Sequence, residues 1–313
     1  MTVASAAGKA ILLGEHAVVY GRPAIAVPLR DLRATVEITA LPPGSGVVIE
    51  AQDLGLACTL AQDAVDDALR VLQWTVRNVL NFLGVAAEEQ ALRIVVRSQI
   101  PIARGLGSGT AVNTALARAL AQHYGHYVTS RAISDLVYQS EILLHGTPSG
   151  IDNTVVAFEQ PVYFIKGQRA DPFWLGQPVT LLIADTGVQA KTREAVAEVR
   201  RRWQADPPRY EALFDAIGAL AEQGKAALAA GDRALLGALM QRNQDLLVAL
   251  GVSSPELDRL TQAALTAGAL GAKLSGGGMG GCAIALVAPE SCAHVEAALR
   301  SAGAQQVWVT AIR

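Results

Sequence analysis

Four stretches of the chain gather residues able to do chemistry. The segment "PIARGLGSGTAVNTALARAL", residues 101–120, places three glycines, a serine and a threonine at positions 105–110, then turns into alanine and leucine at helical spacing. A helix start carries unpaired N–H groups and a positive partial charge, so it attracts phosphate. Glycines let the backbone approach an anion closely, and Ser108 and Thr110 add hydroxyl donors. No Lys-Ser or Lys-Thr pair follows, so this is not a Walker motif. Taken alone, a strand-to-helix turn without ligand explains it equally well. The run "SGGGMGG", residues 275–281, satisfies G-x-G-x-x-G through Gly276, Gly278 and Gly281 but feeds into the strand-like "CAIALVA". A dinucleotide fingerprint must instead open a helix. Close backbone approach is still implied, either to a neighbouring loop or to a phosphate.

The other two stretches carry charge. "GKAILLGEHAVVYG" sets Lys9, Glu15 and His16 in apolar surroundings. Buried charges are costly unless paired or used, and the plainer reading has these side chains reaching solvent from strand ends. "SEILLHGTPSGIDNTV" has Glu141 on a helix and Asp152 after Gly150, where an aspartate usually caps a turn. Each signal is weak alone. Together they supply a base, a charge neutraliser, a metal ligand and a phosphate cradle, the parts of a phosphoryl-transfer site.

The positioning elements are those of a mixed α/β chain. "AILLGEHAVVY", "AIAVPL" and "ATVEITAL" read as strands, being short, apolar and β-branched. In "DAVDDALRVLQWTVRNVLNFLG" the residues Val65, Leu69, Leu72, Val76 and Leu80 recur at helical spacing, and Gly84 closes the helix. "ALRIVVRSQIP" is a strand ending at Pro101, followed by the glycine turn, a helix from about 111 to 124, and another from about 130 to 145. "FEQPVYFIKGQ" predicts a hairpin and "VTLLIADTG" a strand. From Arg193 the pattern is mostly helical, until "AKLSGGGMGGCAIALVAP", a helix and the strand "AQQVWVTAI" end the chain. The change of character predicts two domains, 1–172 and 173–313.

Composition narrows the function classes. The 313 residues are 51% hydrophobic and 17% charged, with a net charge of -2, so nothing argues for nucleic acid or an acidic membrane surface. Cys58, Cys282 and Cys292 form neither a disulfide framework nor a zinc site, as expected of a cytoplasmic protein. No apolar run reaches the ~18 residues of a membrane span, and the N-terminus lacks a signal-peptide pattern.

The four stretches, in this order, resemble the motifs of the GHMP kinases. "GKAILLGEHAVVYGRPAIAVPL" is similar to the first motif, "PIARGLGSGTA" to the phosphate-binding second, "HGTPSGIDNTV" to the segment with the catalytic aspartate, and "DTGVQAKTREAVAEVR" and "KLSGGGMGGCAIAL" to later segments. The ending "GEHAVVYG" points to the mevalonate-phosphorylating branch. The resemblance implies a two-domain α/β fold. Its N-terminal domain would be like ribosomal protein S5 domain 2 and its C-terminal domain ferredoxin-like. The implied activity is ATP-dependent phosphorylation of mevalonate's 5-hydroxyl, with ATP and Mg²⁺ as cofactors, and the family is often homodimeric. By the same resemblance Asp152 is the base and Lys9 the charge neutraliser. Gly105, Leu106, Gly107, Ser108, Gly109, Thr110 and Ala111 wrap the ATP phosphates. Glu15, His16, Thr192 and Arg193 face the substrate, and Glu141 binds the metal.

Two departures stand out. The family's second motif usually has a metal-binding serine where this chain has Gly109, so Ser108, Thr110 or water must serve. Gly277 and Met279 replace the commoner alanine and glycine of the third motif. The rivals are a sister kinase, a decarboxylase of the same branch, a non-catalytic protein on the same scaffold, and a dinucleotide oxidoreductase. Lys9 argues against the decarboxylase, and Lys9, Glu141 and Asp152 together argue against the non-catalytic reading.

Overall fold

The computed structural model describes residues 1–145 and 148–313. Gly146 and Thr147, inside the quoted "HGTPSGIDNTV", lie outside the described residues. The chain forms two compact units that interleave in sequence. One holds residues 1–8, 32–101 and 107–159; the other holds 9–31, 102–106 and 160–313. Strands β1 (Thr2–Leu13) and β2 (Ala24–Ala40) each pass from one unit into the other.

The first unit adds β3 (Val47–Ala51), β4 (Leu56–Thr59), α1 (Asp67–Phe82), β5 (Leu92–Ser98), α2 (Ser108–His123), α3 (Ser130–His145) and α4 (Ile151–Phe158). Its strands run in the order β4-β3-β5-β2, with β3 and β5 parallel and the other pairs antiparallel. From Leu32 onward β2 alternates buried and half-buried residues, the pattern of a strand with one face on a core. The Asp66 side chain caps α1, accepting from the N–H groups of Ala68 and Leu69 at 2.8 and 3.3 Å. Leu69, Leu72, Val76, Val79 and Leu80 form its buried face, each worth about 1.5–3 kcal/mol on full burial. Val65 does not belong to that face. It precedes the cap and is 94% exposed, because the helix cannot start until Asp66 has taken its capping geometry.

The second unit adds β6 (Val162–Phe164), β7 (Asp171–Pro172), β8 (Val179–Asp185), α5 (Thr192–Ala205), α6 (Pro207–Ala230), α7 (Arg233–Leu250), α8 (Pro255–Thr266), β9 (Gly271–Ser275), β10 (Cys282–Val287), α9 (Cys292–Ser301) and β11 (Gln306–Ile312). β6 and β7 form a hairpin with Tyr163 opposite Asp171, so the stretch "FEQPVYFIKGQ" holds only its first strand, and the second lies beyond Gln168. An antiparallel sheet runs β11-β8-β10-β9. Connected as β-α-β-β-α-β, this is the ferredoxin-like arrangement, with α5 to α8 in the first crossover. Phe214, Ile217, Leu182, Leu257, Leu260 and Leu274 fill its core.

"AILLGEHAVVY" is not one strand. β1 ends at Leu13, Gly14 and His16 take φ of +99° and +61°, and one short helical turn covers Ala17–Tyr20. Gly14 lies so close to Ala24 that an added Cβ would collide with its Cα, so the chain turns where only glycine fits.

Candidate functional site

In the first unit the glycine stretch becomes a helix start. Gly107 is the N-cap of α2 at φ +74°, and no side chain caps the end. The helix begins at Ser108, so Ser108, Gly109 and Thr110 make up its first turn, where N–H groups lack intrahelical partners. The two hydroxyls face different ways. Ser108 donates to the Ile100 carbonyl at 3.1 Å, holding the turn to the chain that enters it. Thr110, buried, donates to Oε1 of buried Glu141 on α3 at 2.7 Å. A buried carboxylate is stable only with such donors or a cation. Asp152 stands half-buried in the first turn of α4, after Gly150 at φ +93°, so it lies in a helix rather than a turn. At the far end of α4, Glu159 takes φ +49° and is bonded by Arg33 and Arg118. Burial alone would raise its carboxyl, but the two guanidiniums together hold it below the usual range.

In the second unit Lys9, Glu15 and His16 are all buried, so the solvent-facing explanation fails. Lys9 lies on β1, and its N–H donates to the Leu106 carbonyl at 2.9 Å, which ties the start of the phosphate stretch to that strand. Glu15 pairs with Lys273 of β9, both fully buried, and accepts from Asn243 Nδ2 of α7 at 3.0 Å. His16 Nε2 is 2.9 Å from the Gly277 carbonyl. A carbonyl only accepts, so Nε2 carries the proton. Burial lowers the pKa of His16 to about 4, with Lys273's charge adding to the fall, so the ring is neutral at pH 7.

The run 275–281 joins β9 to β10, two antiparallel strands, which removes the dinucleotide reading. Its glycines admit other parts of the protein. A Cβ at Gly277 would meet Thr192 Oγ1 at 2.8 Å, and one at Gly278 would collide with the Val252 carbonyl. Thr192 is thereby brought against this loop, at the start of α5, with Arg193 exposed beside it. Sequence reasoning missed Lys273, Asn243 and Arg104. Arg104, one residue before Gly105, donates to Asp185 at 2.9 Å and to the Gly187 carbonyl at 3.2 Å. The signal for Lys273 was present as a lone lysine within the buried strand "GAKLS".

Among the described residues no cluster of three His, Cys, Asp or Glu side chains is placed to hold a metal, and no helix is long and apolar enough to cross a membrane.

These features match a known pattern. Family models for the GHMP kinases N terminal domain and the GHMP kinases C terminal match residues 70–160 and 225–305. The chain belongs to the GHMP kinase family and has its two-domain fold, with 47% helix and 24% strand. It is 37% identical to a mevalonate kinase of Thermococcus sibiricus, over 97% of this chain and 94% of that one. The crystal structure of L. major mevalonate kinase in complex with R-mevalonate superposes with a TM-score of 0.85 at 28% identity, covering 100% of this chain and 96% of that one. Mevalonate kinase from Methanococcus jannaschii superposes with a TM-score of 0.84 at 26% identity, covering 99% and 96%.

Proposed function

We propose that this protein is an ATP-dependent kinase that phosphorylates the 5-hydroxyl of mevalonate to give 5-phosphomevalonate and ADP, in isoprenoid precursor synthesis. The observation that carries the reading is the near full-length similarity to mevalonate kinases, including 37% identity to the Thermococcus sibiricus protein.

The first turn of α2, with Gly105 to Ala111, cradles the ATP phosphates through backbone N–H groups. Asp152 takes the proton of the attacking hydroxyl as its oxygen bonds to the γ-phosphorus and the bond to the bridging oxygen of ADP breaks. Lys9 meets the negative charge that develops in this step. Arg193 pairs with the substrate carboxylate, while Thr192 and His16 complete the acceptor side. Glu15 is counted with them by resemblance, although its burial against Lys273 favours an indirect part. The oxygens at Thr110 and Glu141 fit Mg²⁺, a hard cation that keeps several waters. Glu141 with the hydroxyl of Thr110 would hold it. Ser108, the other hydroxyl in this turn, is engaged with Ile100. When bound, the ion neutralises phosphate charge.

The reading keeps the family's two domains at 1–172 and 173–313, supported by the separate N- and C-terminal matches. It includes a cytoplasmic location and a homodimer, the latter measurable by sedimentation velocity. The test of function is ADP release with mevalonate, phosphomevalonate, homoserine or galactose as acceptor. Turnover should be confined to mevalonate; preference for another acceptor would move the chain to a sister activity.

A further inference from the structure

Glu15 and Lys273 form an ion pair with no exposed side-chain surface. Taking two charges out of water costs about as much as their attraction returns, and an apolar pair of equal volume often stabilises as well or better. Stability alone therefore gives a poor reason for the pair. Its surroundings give another. β9 is an edge strand, and its backbone at Leu274 is met by side chains instead of a further strand. The Leu274 N–H donates to Gln244 Oε1 at 2.9 Å, and Lys273 Nζ donates to the Leu274 carbonyl at 2.6 Å. Ser275 Oγ accepts from the Ile11 N–H and donates to the Ile11 carbonyl, both at 3.1 Å. Asn243, beside Gln244 on α7, donates to the second oxygen of Glu15.

These bonds fasten two loops at adjoining points. Glu15 precedes His16, whose backbone has φ +61° and ψ -48°, a conformation uncommon for a residue with a side chain, in a tight turn closed by the Ala17 N–H donating to the Glu15 carbonyl at 2.7 Å. Lys273 lies four residues before Gly277, whose carbonyl accepts from His16 Nε2. Burial pushes the Lys273 ammonium down from its ordinary pKa, and the Glu15 carboxylate beside it opposes that fall.

We propose that Glu15 and Lys273, with Asn243, are positioning residues for phosphoryl transfer: their buried bonds set the turn at His16 and the start of the 275–281 loop, so that the acceptor side of the site is preformed. The proposal rests on the mevalonate-kinase reading, and places Glu15 behind the acceptor site instead of in contact with substrate.

Glu15→Gln alone and Lys273→Met alone each strand a buried charge and should lower Tm. The informative variant is the double E15Q/K273M, in which neither charge remains and the amide that replaces the Glu15 carboxylate still offers an oxygen to Asn243. It should melt above either single variant, held below the parent only by the lost bond to the Leu274 carbonyl, while kcat/KM for mevalonate falls at least tenfold and the KM for ATP stays within twofold. Asn243→Ala, which leaves the ion pair in place, should lower the same parameter about threefold. Parent-like mevalonate kinetics in a folded double variant would overturn the proposal. If the double variant does not fold, Asn243→Ala decides, and unchanged mevalonate kinetics there would overturn it equally. A parent enzyme that does not turn over mevalonate refutes the functional reading instead.

Discussion

The neutral, buried His16 makes a quantitative prediction about acid stability. Its pKa falls from 6.5 to about 4 on folding, with burial as the main cause. The unfolded chain takes up a proton at this ring below pH 6.5, and the folded chain resists until about pH 4. Unfolding therefore gains protons across that window, and stability is lost as pH falls through it. Each pKa unit is worth about 1.4 kcal/mol, so this one ring costs about 3 kcal/mol below pH 4, and about 2 kcal/mol is already lost at pH 5. His16→Gln keeps an N–H donor for the Gly277 carbonyl but removes the titration. Any difference in the cost of the positive φ between histidine and glutamine is the same at every pH and cancels in the comparison. The assay is urea unfolding at pH 7.5 and pH 5. Tryptophan fluorescence is the readout, since Trp203 lies 5.3 Å from Tyr20 just beyond this turn. The parent should lose about 2 kcal/mol more than the variant between the two pH values. Parallel losses in both proteins would refute the reasoning and mean that the folded ring takes up its proton in the ordinary range.

Asp152→Asn should leave ATP binding intact and lower kcat by roughly 10²–10⁴, the usual worth of a positioned base; near-normal turnover would remove Asp152 from the chemistry. Lys9→Ala should act mainly on kcat, because a charge that meets developing negative charge works in the transition state. Arg193→Ala should instead raise the KM for mevalonate with kcat little changed, and an effect confined to the KM for ATP would place Arg193 elsewhere. Glu141→Gln should raise the free Mg²⁺ needed for half-maximal activity, and Gly109→Ser should lower it. Gly109 lies inside α2 with a helical backbone that serine adopts readily. An unchanged titration midpoint in Glu141→Gln would count against the metal assignment.

Much of this protein was legible in its sequence because the signals were local. The apolar periodicity of α1, the β-branched strand β5 and the glycine turn before α2 each depend on neighbours within a few residues, and each element formed, though with shifted ends: α1 starts at Asp67 and leaves Val65 outside, β5 ends at Ser98, and α2 begins at Ser108 within the glycine stretch. Lys9, Glu15, Glu141 and Asp152 also stood out by residue type against their surroundings. Tertiary structure decided what those side chains touch. Whether Ser108 or Thr110 faces Glu141 depends on how α2 packs on α3, since residues two apart on a helix point in different directions. The solvent-facing reading of Glu15 failed because its partner lies 258 residues away on β9, a pairing that no local pattern records. The glycines of 275–281 announced a close approach, but only the packed chain showed Thr192 and the Val252 carbonyl filling that space. Local propensity follows from backbone sterics and spacing and can be read along the chain. Pairing between distant charges follows from burial, which exists only once the chain has folded.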